Sequence, residues 1–265
     1  MPHLVLGNIL PPVTTDLPKD LFLLGAGLLA GLFNSVAGGG TFISMPVLIY
    51  AGLPSVAANA SSTVALFPGS LASIYAYRKD FQSFEHISLK TLIYISIFGG
   101  AIGAVLLLIT PSSSFDKIIP WLVLTGALMF IFGKQVARLL ENRFTLNKWV
   151  FLGIQFILGI YGGYFGGGAG IMMMAAWSML GLNDIKLVNV NKTLLVGAAN
   201  SIAVVIFIIS GEVYWLQTCI MLLATVTGGY FGAAYARKLN PVILRGMISF
   251  LIVLITIFFF YRAYK

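Results

Sequence analysis

Residues 31–53 read Gly-Leu-Phe-Asn-Ser-Val-Ala-Gly-Gly-Gly-Thr-Phe-Ile-Ser-Met-Pro-Val-Leu-Ile-Tyr-Ala-Gly-Leu, an apolar run broken by three glycines that resumes for twelve residues, 41–52. As a helix the resumed piece reaches about 18 Å, short of a hydrocarbon core of about 30 Å. It is read as a half-helix or re-entrant arm. The device recurs around Gly166-Gly167-Gly168, where the following apolar piece, 169–181, has thirteen residues. Broken apolar segments imply a membrane. The composition agrees, with 59% hydrophobic and 9% charged residues in 265 and a mean hydropathy of +0.97, against about 25% charged in soluble domains. A soluble enzyme, a nucleic-acid reader and a disordered chain are excluded. The lone Cys219 leaves no internal disulfide framework, and His3 and His86 lie far apart, so no metal or cofactor site is indicated.

Eight longer apolar stretches, at about 21–37, 59–77, 89–109, 116–133, 148–165, 193–210, 213–236 and 242–261, are each long enough to cross. Residues 1–20, with Pro2, Pro11, Pro12 and Pro18, read as a polar lead-in. The fold class expected is all-α, a polytopic membrane protein with about eight spanning helices and two glycine-broken arms. Its net charge of +8 serves orientation. Arg78, Lys79 and Lys90, then Lys134, Arg138, Arg143 and Lys148, then Lys186 and Lys192, then Arg237, Lys238 and Arg245 form clusters holding twelve of the sixteen cations. Placing all four clusters in the cytoplasm puts both termini outside. It also makes the glycine breaks hairpin tips.

A shift of about half the length exposes a repeat. Phe98-Gly-Gly-Ala-Ile-Gly-Ala104 meets Thr227-Gly-Gly-Tyr-Phe-Gly-Ala233 at an offset of 129, and Thr110-Pro111 meets Asn240-Pro241 at 130. Gly38-Gly39 meets Gly167-Gly168 and Gly52-Leu53 meets Gly181-Leu182 at 129, while Asn59 and Thr63 meet Asn189 and Thr193 at 130. The chain divides into a first half at 17–134, a linker at 135–147 and a second half at 148–261. By the charge clusters, the halves are inverted. Inverted repeats with interrupted helices are the mark of secondary transporters whose substrate sits at the midplane.

Two features carry the candidate chemistry. The glycine tips, Gly38, Gly39, Gly40 and Thr41 with their partners Gly166, Gly167 and Gly168, offer helix N-terminal N–H groups and a positive dipole end to an anion. Asn34 and Ser35 precede the first tip. The same glycines also suit close helix packing, the role expected of Gly99, Gly103, Gly228 and Gly232. A polar stripe supplies the second feature: Asn59, Ser62, Thr63 and Ser70 return to one helix face, and Asn189, Lys192, Thr193 and Asn200 repeat the spacing. Converging amides and hydroxyls can replace water around an oxyanion, or can bond between helices and cap them. Lys192 is the one cation on the stripe, serving an anion or anchoring a helix end. The eight carboxylates fall in loops or at segment ends, so no buried acid relay is visible. The aromatics are read as interface-belt or packing residues and Cys219 as core.

The stretch Gly31 to Thr41, then Pro46, Gly52-Leu53 and Ala58-Asn-Ala-Ser-Ser-Thr63, with a degenerate copy between Gly162 and Thr193, resembles the TauE/SafE family of sulfite and organosulfonate exporters. The resemblance covers about 20–261. It implies a multi-pass transporter of the bacterial inner membrane whose partners are a small sulfur oxyanion and the lipid bilayer, with no cofactor and no nucleic acid. The copies differ where Met174 or Ala175 stands for Pro46 and Lys192 for Ser62. A passive anion channel is the nearest alternative. A membrane enzyme would need a nucleophile–base pair or metal cluster that the chain does not offer.

Overall fold

The computed structural model describes residues 17–84, 87–140, 147–180, 182, 184–236 and 241–265. His3, Glu85, His86, Arg143, Gly181, Arg237, Lys238, Asn240, most of the lead-in and the middle of the linker lie outside these residues.

Among the described residues there are ten helices and no strand. In order they are α1 (Leu17–Ala37), α2 (Thr41–Tyr50), α3 (Ser55–Tyr77), α4 (Leu89–Ile109), α5 (Ser112–Leu140), α6 (Lys148–Tyr164), α7 (Ala169–Met179), α8 (Ile185–Ser210), α9 (Trp215–Ala236) and α10 (Pro241–Tyr264). Eight coincide with the long apolar stretches, and α2 and α7 with the two short ones. Three described segments, Leu89–Ile109, Ser112–Gly133 and Leu187–Ser210, are long and apolar enough to cross a membrane, while Thr41–Tyr50, Ala169–Met179, Trp215–Phe231 and Ser249–Tyr264 are apolar but shorter. At ten and eleven residues, α2 and α7 reach about 15–17 Å. Large apolar side chains such as Phe98, Ile109, Ile209, Leu223 and Phe250 are exposed, as a lipid-facing surface requires.

Packing follows the small residues. Helix α1 lies along α9 and α4 along α6, and α3 meets both α8 and α9 while α4 meets α8. At Gly99 a Cβ would stand 2.8 Å from the Phe156 carbonyl oxygen, and at Gly31, Gly103, Gly163 and Gly228 it would run into the backbone of the facing helix. These glycines let backbones touch, the means by which helices associate where lipid competes for apolar contacts. Helix α9 turns Thr218, Met221 and Thr225 inward at a helical spacing. Cys219, one position off that face, is exposed rather than in the core.

Buried Gln155 joins α4, α6 and α7, donating to Ser96 Oγ at 2.8 Å and accepting from Trp177 Nε1 at 3.2 Å. Trp177 is therefore a packing residue, stacked on Phe151, whereas Trp121, Trp149 and Trp215 are exposed.

Candidate functional site

Both short helices begin at a tip of tight backbone. Gly38 and Gly166 adopt φ of +71° and +77°, and Gly168, the N-cap of α7, adopts +77°, a region open to glycine at little cost. Gly40 caps α2 in ordinary helical geometry. The first N–H groups of each helix lack intrahelical acceptors and carry its positive end.

Between the two tips, α3 and α8 enclose a cavity of about 320 Å³, room for on the order of ten waters. From α3 it is lined by Thr63, Leu66, Ser70, Ser73 and Tyr77, and from α8 by Asn189, Lys192, Thr193, Val196 and Asn200. These positions recur every three or four residues, so each helix turns one face to the cavity. Asn34 and Ser35 of α1, Gly38 and Thr41 of the first tip, and Gly166 and Gly170 of the second complete it. Ten of the sixteen candidates named from sequence thus meet in one place.

The other six lie off the cavity, each for a visible reason. Gly39 and Gly168 flank the ring of Phe42, where a Cβ would stand 3.1 Å from ring carbons in both cases. Gly126 of α5 completes the nest, since a Cβ there would stand 2.7 Å from Phe42 Cζ, and Phe42 meets Phe165 at 6.1 Å between centroids. Gly167 abuts the Phe165 ring, and Gly40 is wedged against Asn34 and Leu66. These four glycines make room for protein rather than ligand. Asn59 is wholly buried and donates to the Tyr164 carbonyl at 3.0 Å, and Ser62, also wholly buried, pairs with Ser44 Oγ at 2.5 Å. Nor do Asn59 and Asn189 cap helices. Pro54 precedes α3, and Asp184 Oδ1 accepts from Leu187 N at 3.0 Å at the start of α8.

Sequence reasoning left Ser73, Tyr77, Leu66, Val196 and Gly170 unnamed and placed Ser70 on the stripe without assigning it to the site. Continuing the α3 stripe beyond Ser70 by three and seven residues reaches Ser73 and Tyr77. Gly170 had no such signal. Its role is steric, since a Cβ there would stand 3.1 Å from Lys192 Cδ. The stem of Lys192 crosses the bare first turn of α7.

The lining divides by what its protons do. Ser35, Thr63, Ser73 and Thr193 spend their hydroxyl protons on carbonyls of their own helices, at 2.8–3.0 Å. Among the described residues, the side chains of Asn34, Thr41, Ser70, Tyr77, Asn189, Lys192 and Asn200 donate to nothing. Six neutral donors and one ammonium face a shared space, and no carboxylate among the described residues lines it. Such a donor set suits an anion, for which charge-assisted hydrogen bonds can replace lost hydration.

The sequence profile of the sulfite exporter TauE/SafE family matches residues 23–259. The chain belongs to this family. A probable membrane transporter protein of Haemophilus influenzae is 28% identical over 242 residues, covering 88% of this chain and 92% of that protein. Escherichia coli YfcA is 28% identical over 234 residues, with 85% and 84% covered, and Bacillus subtilis YunE 26% over 246, with 83% and 89% covered; both are also named probable membrane transporter proteins. No solved structure matches significantly. The chain is a membrane transporter of the TauE/SafE family, and its long apolar helices fit transmembrane segments.

Proposed function

We propose that this family member is a secondary transporter, working as an exporter, that carries a small sulfur oxyanion, sulfite or a short organosulfonate, across the bacterial inner membrane through the cavity between α3 and α8. The observation that carries this reading is the donor set: Lys192 and six unspent neutral donors beside two half-helix N-termini, with no described carboxylate among them. A volume of about 320 Å³ suits a compact anion with a short tail or a partial water shell.

The chain is further read as two inverted halves. Packing supports this, because exchanging α1–α5 with α6–α10 turns the α1–α9 contact into α6–α4, and α3–α9 into α8–α4, both of which occur. With the cation clusters in the cytoplasm and the termini outside, the cavity runs toward the cytoplasm, where α3 ends beside Arg78 and Lys79 and α8 begins. A route lined in one direction favours a carrier over a passive channel. Purified protein in liposomes is expected to show saturable sulfite flux accelerated by sulfite on the opposite side. Flux that rises linearly with concentration and shows no counterflow would mark a channel.

A further inference from the structure

With the halves registered at 129 residues for the tips and 130 for α3 and α8, most of the polar lining residues fall into two groups. Thr41 and Gly170, Thr63 and Thr193, and Ser70 and Asn200 are counterparts, and both members of each pair line the cavity. Asn34, Ser73, Tyr77, Asn189 and Lys192 also line it, but their counterparts Gly163, Ala203, Phe207, Asn59 and Ser62 are all buried. Ala203 and Phe207, both at 0% exposure, belong to the main core. Ser62 is held against α2 through Ser44. The centre of the cavity is symmetric, and its route to the surface is not.

We propose that an exchange of packing between the halves opens a second, outward cavity. It keeps the central residues but is walled by Asn59, Ser62, Ala203 and Phe207 in place of Asn189, Lys192, Ser73 and Tyr77, and it holds the anion more weakly. This rests on the carrier reading with inverted halves. Two conformations built by swapping equivalent contacts share most of their packing, as a carrier needs. They differ in chemistry because the halves have diverged. On the cytoplasmic side the route offers an ammonium, a phenol and a hydroxyl, and on the outer side the matching positions are a serine, a phenylalanine and an alanine. Lys192 would move toward the enclosed position that Ser62 now holds, away from the route, at a desolvation cost that favours the cytoplasm-facing form of the empty carrier. The difference does not set the equilibrium distribution of substrate, which a passive carrier cannot alter. It sets the concentration at which each face saturates.

The test uses a Cys219→Ser background, which removes the exposed thiol of α9. In vesicles of known sidedness, Tyr77→Cys is expected to react with a membrane-impermeant maleimide from the cytoplasmic face only, and Ala203→Cys from the outer face only. Phe207→Cys serves as a second outer probe. The half-saturating sulfite concentration is expected to be roughly tenfold or more higher at the outer face, the effect of one charge-assisted contact, and Lys192→Ser should raise the cytoplasmic value to meet it. If Ala203→Cys and Phe207→Cys never react from outside in variants that still perform sulfite counterflow, the second cavity is overturned. Equal half-saturation at the two faces of the unmodified protein would overturn the difference in affinity. Absence of counterflow in the unmodified protein would instead sink the carrier reading on which both depend.

Discussion

Lys192 sits two turns inside α8, with its stem across Gly170 and its ammonium without a partner among the described residues. Held at membrane depth beside neutral donors, that charge is costly unless an anion answers it. Lys192→Gln is expected to weaken sulfite or methanesulfonate binding by about 1.5–3 kcal/mol, while Lys148→Gln, exposed at the start of α6, should leave it unchanged. Calorimetry on the purified variants measures both. Equal affinities for the unmodified protein and Lys192→Gln would remove the cation from the site. The tip glycines separate in the same way. Alanine at Gly38 or at Gly168 carries a left-handed backbone penalty of about 1–2 kcal/mol, but a Cβ at Gly38 meets nothing within 4 Å whereas one at Gly168 meets Phe42 at 3.1 Å. Both variants should lose thermal stability in detergent, and Gly38→Ala should lose anion affinity as well. An unchanged affinity in Gly38→Ala would place that glycine with its neighbours as a packing residue.

At the scale of elements, the two half-helices are coupled through one ring. Phe42 from α2 fills the space left by Gly39, Gly126 and Gly168, and thereby ties both tips to α5. Tyr161 of α6 reinforces the second tip, its hydroxyl donating to the Gly167 carbonyl at 2.8 Å. Phe42→Ala opens a cavity at this junction and is expected to cost about 3–5 kcal/mol, read as a lower denaturant midpoint in micelles. A change below about 1 kcal/mol would mean that the tips hold together without it. The run of three glycines announced a break and a close approach in the sequence. What approaches is Phe42, three residues from Gly39 along the chain but 126 from Gly168, and only the fold shows that partner.

For the whole molecule, the cation clusters define an orientation that tagging can check. A reporter after residue 265 and one within 138–145 are expected on opposite faces of the membrane, the latter in the cytoplasm. Finding both on one face would break the inverted-half reading and with it the cytoplasmic direction of the cavity. Orientation also fixes the meaning of the donor set, since a cavity facing the cytoplasm loads the anion from inside.

Hydrophobic run length and helical spacing are local properties, and they placed the ten helices, the two short arms and the inward face of α8 from Asn189 to Asn200. The same spacing marked Asn59 and Ser62 as equivalents of Asn189 and Lys192, because a repeat written into the sequence treats its halves alike. Tertiary structure broke that equivalence. Ser62 is held by Ser44 of α2 and Asn59 by the Tyr164 carbonyl, so the first turns of α3 are sealed in protein while Ser70, Ser73 and Tyr77 of its later turns line the cavity. Residue spacing alone cannot say which of two matching positions faces a cavity and which is buried, for that choice lies in contacts between elements distant in the chain.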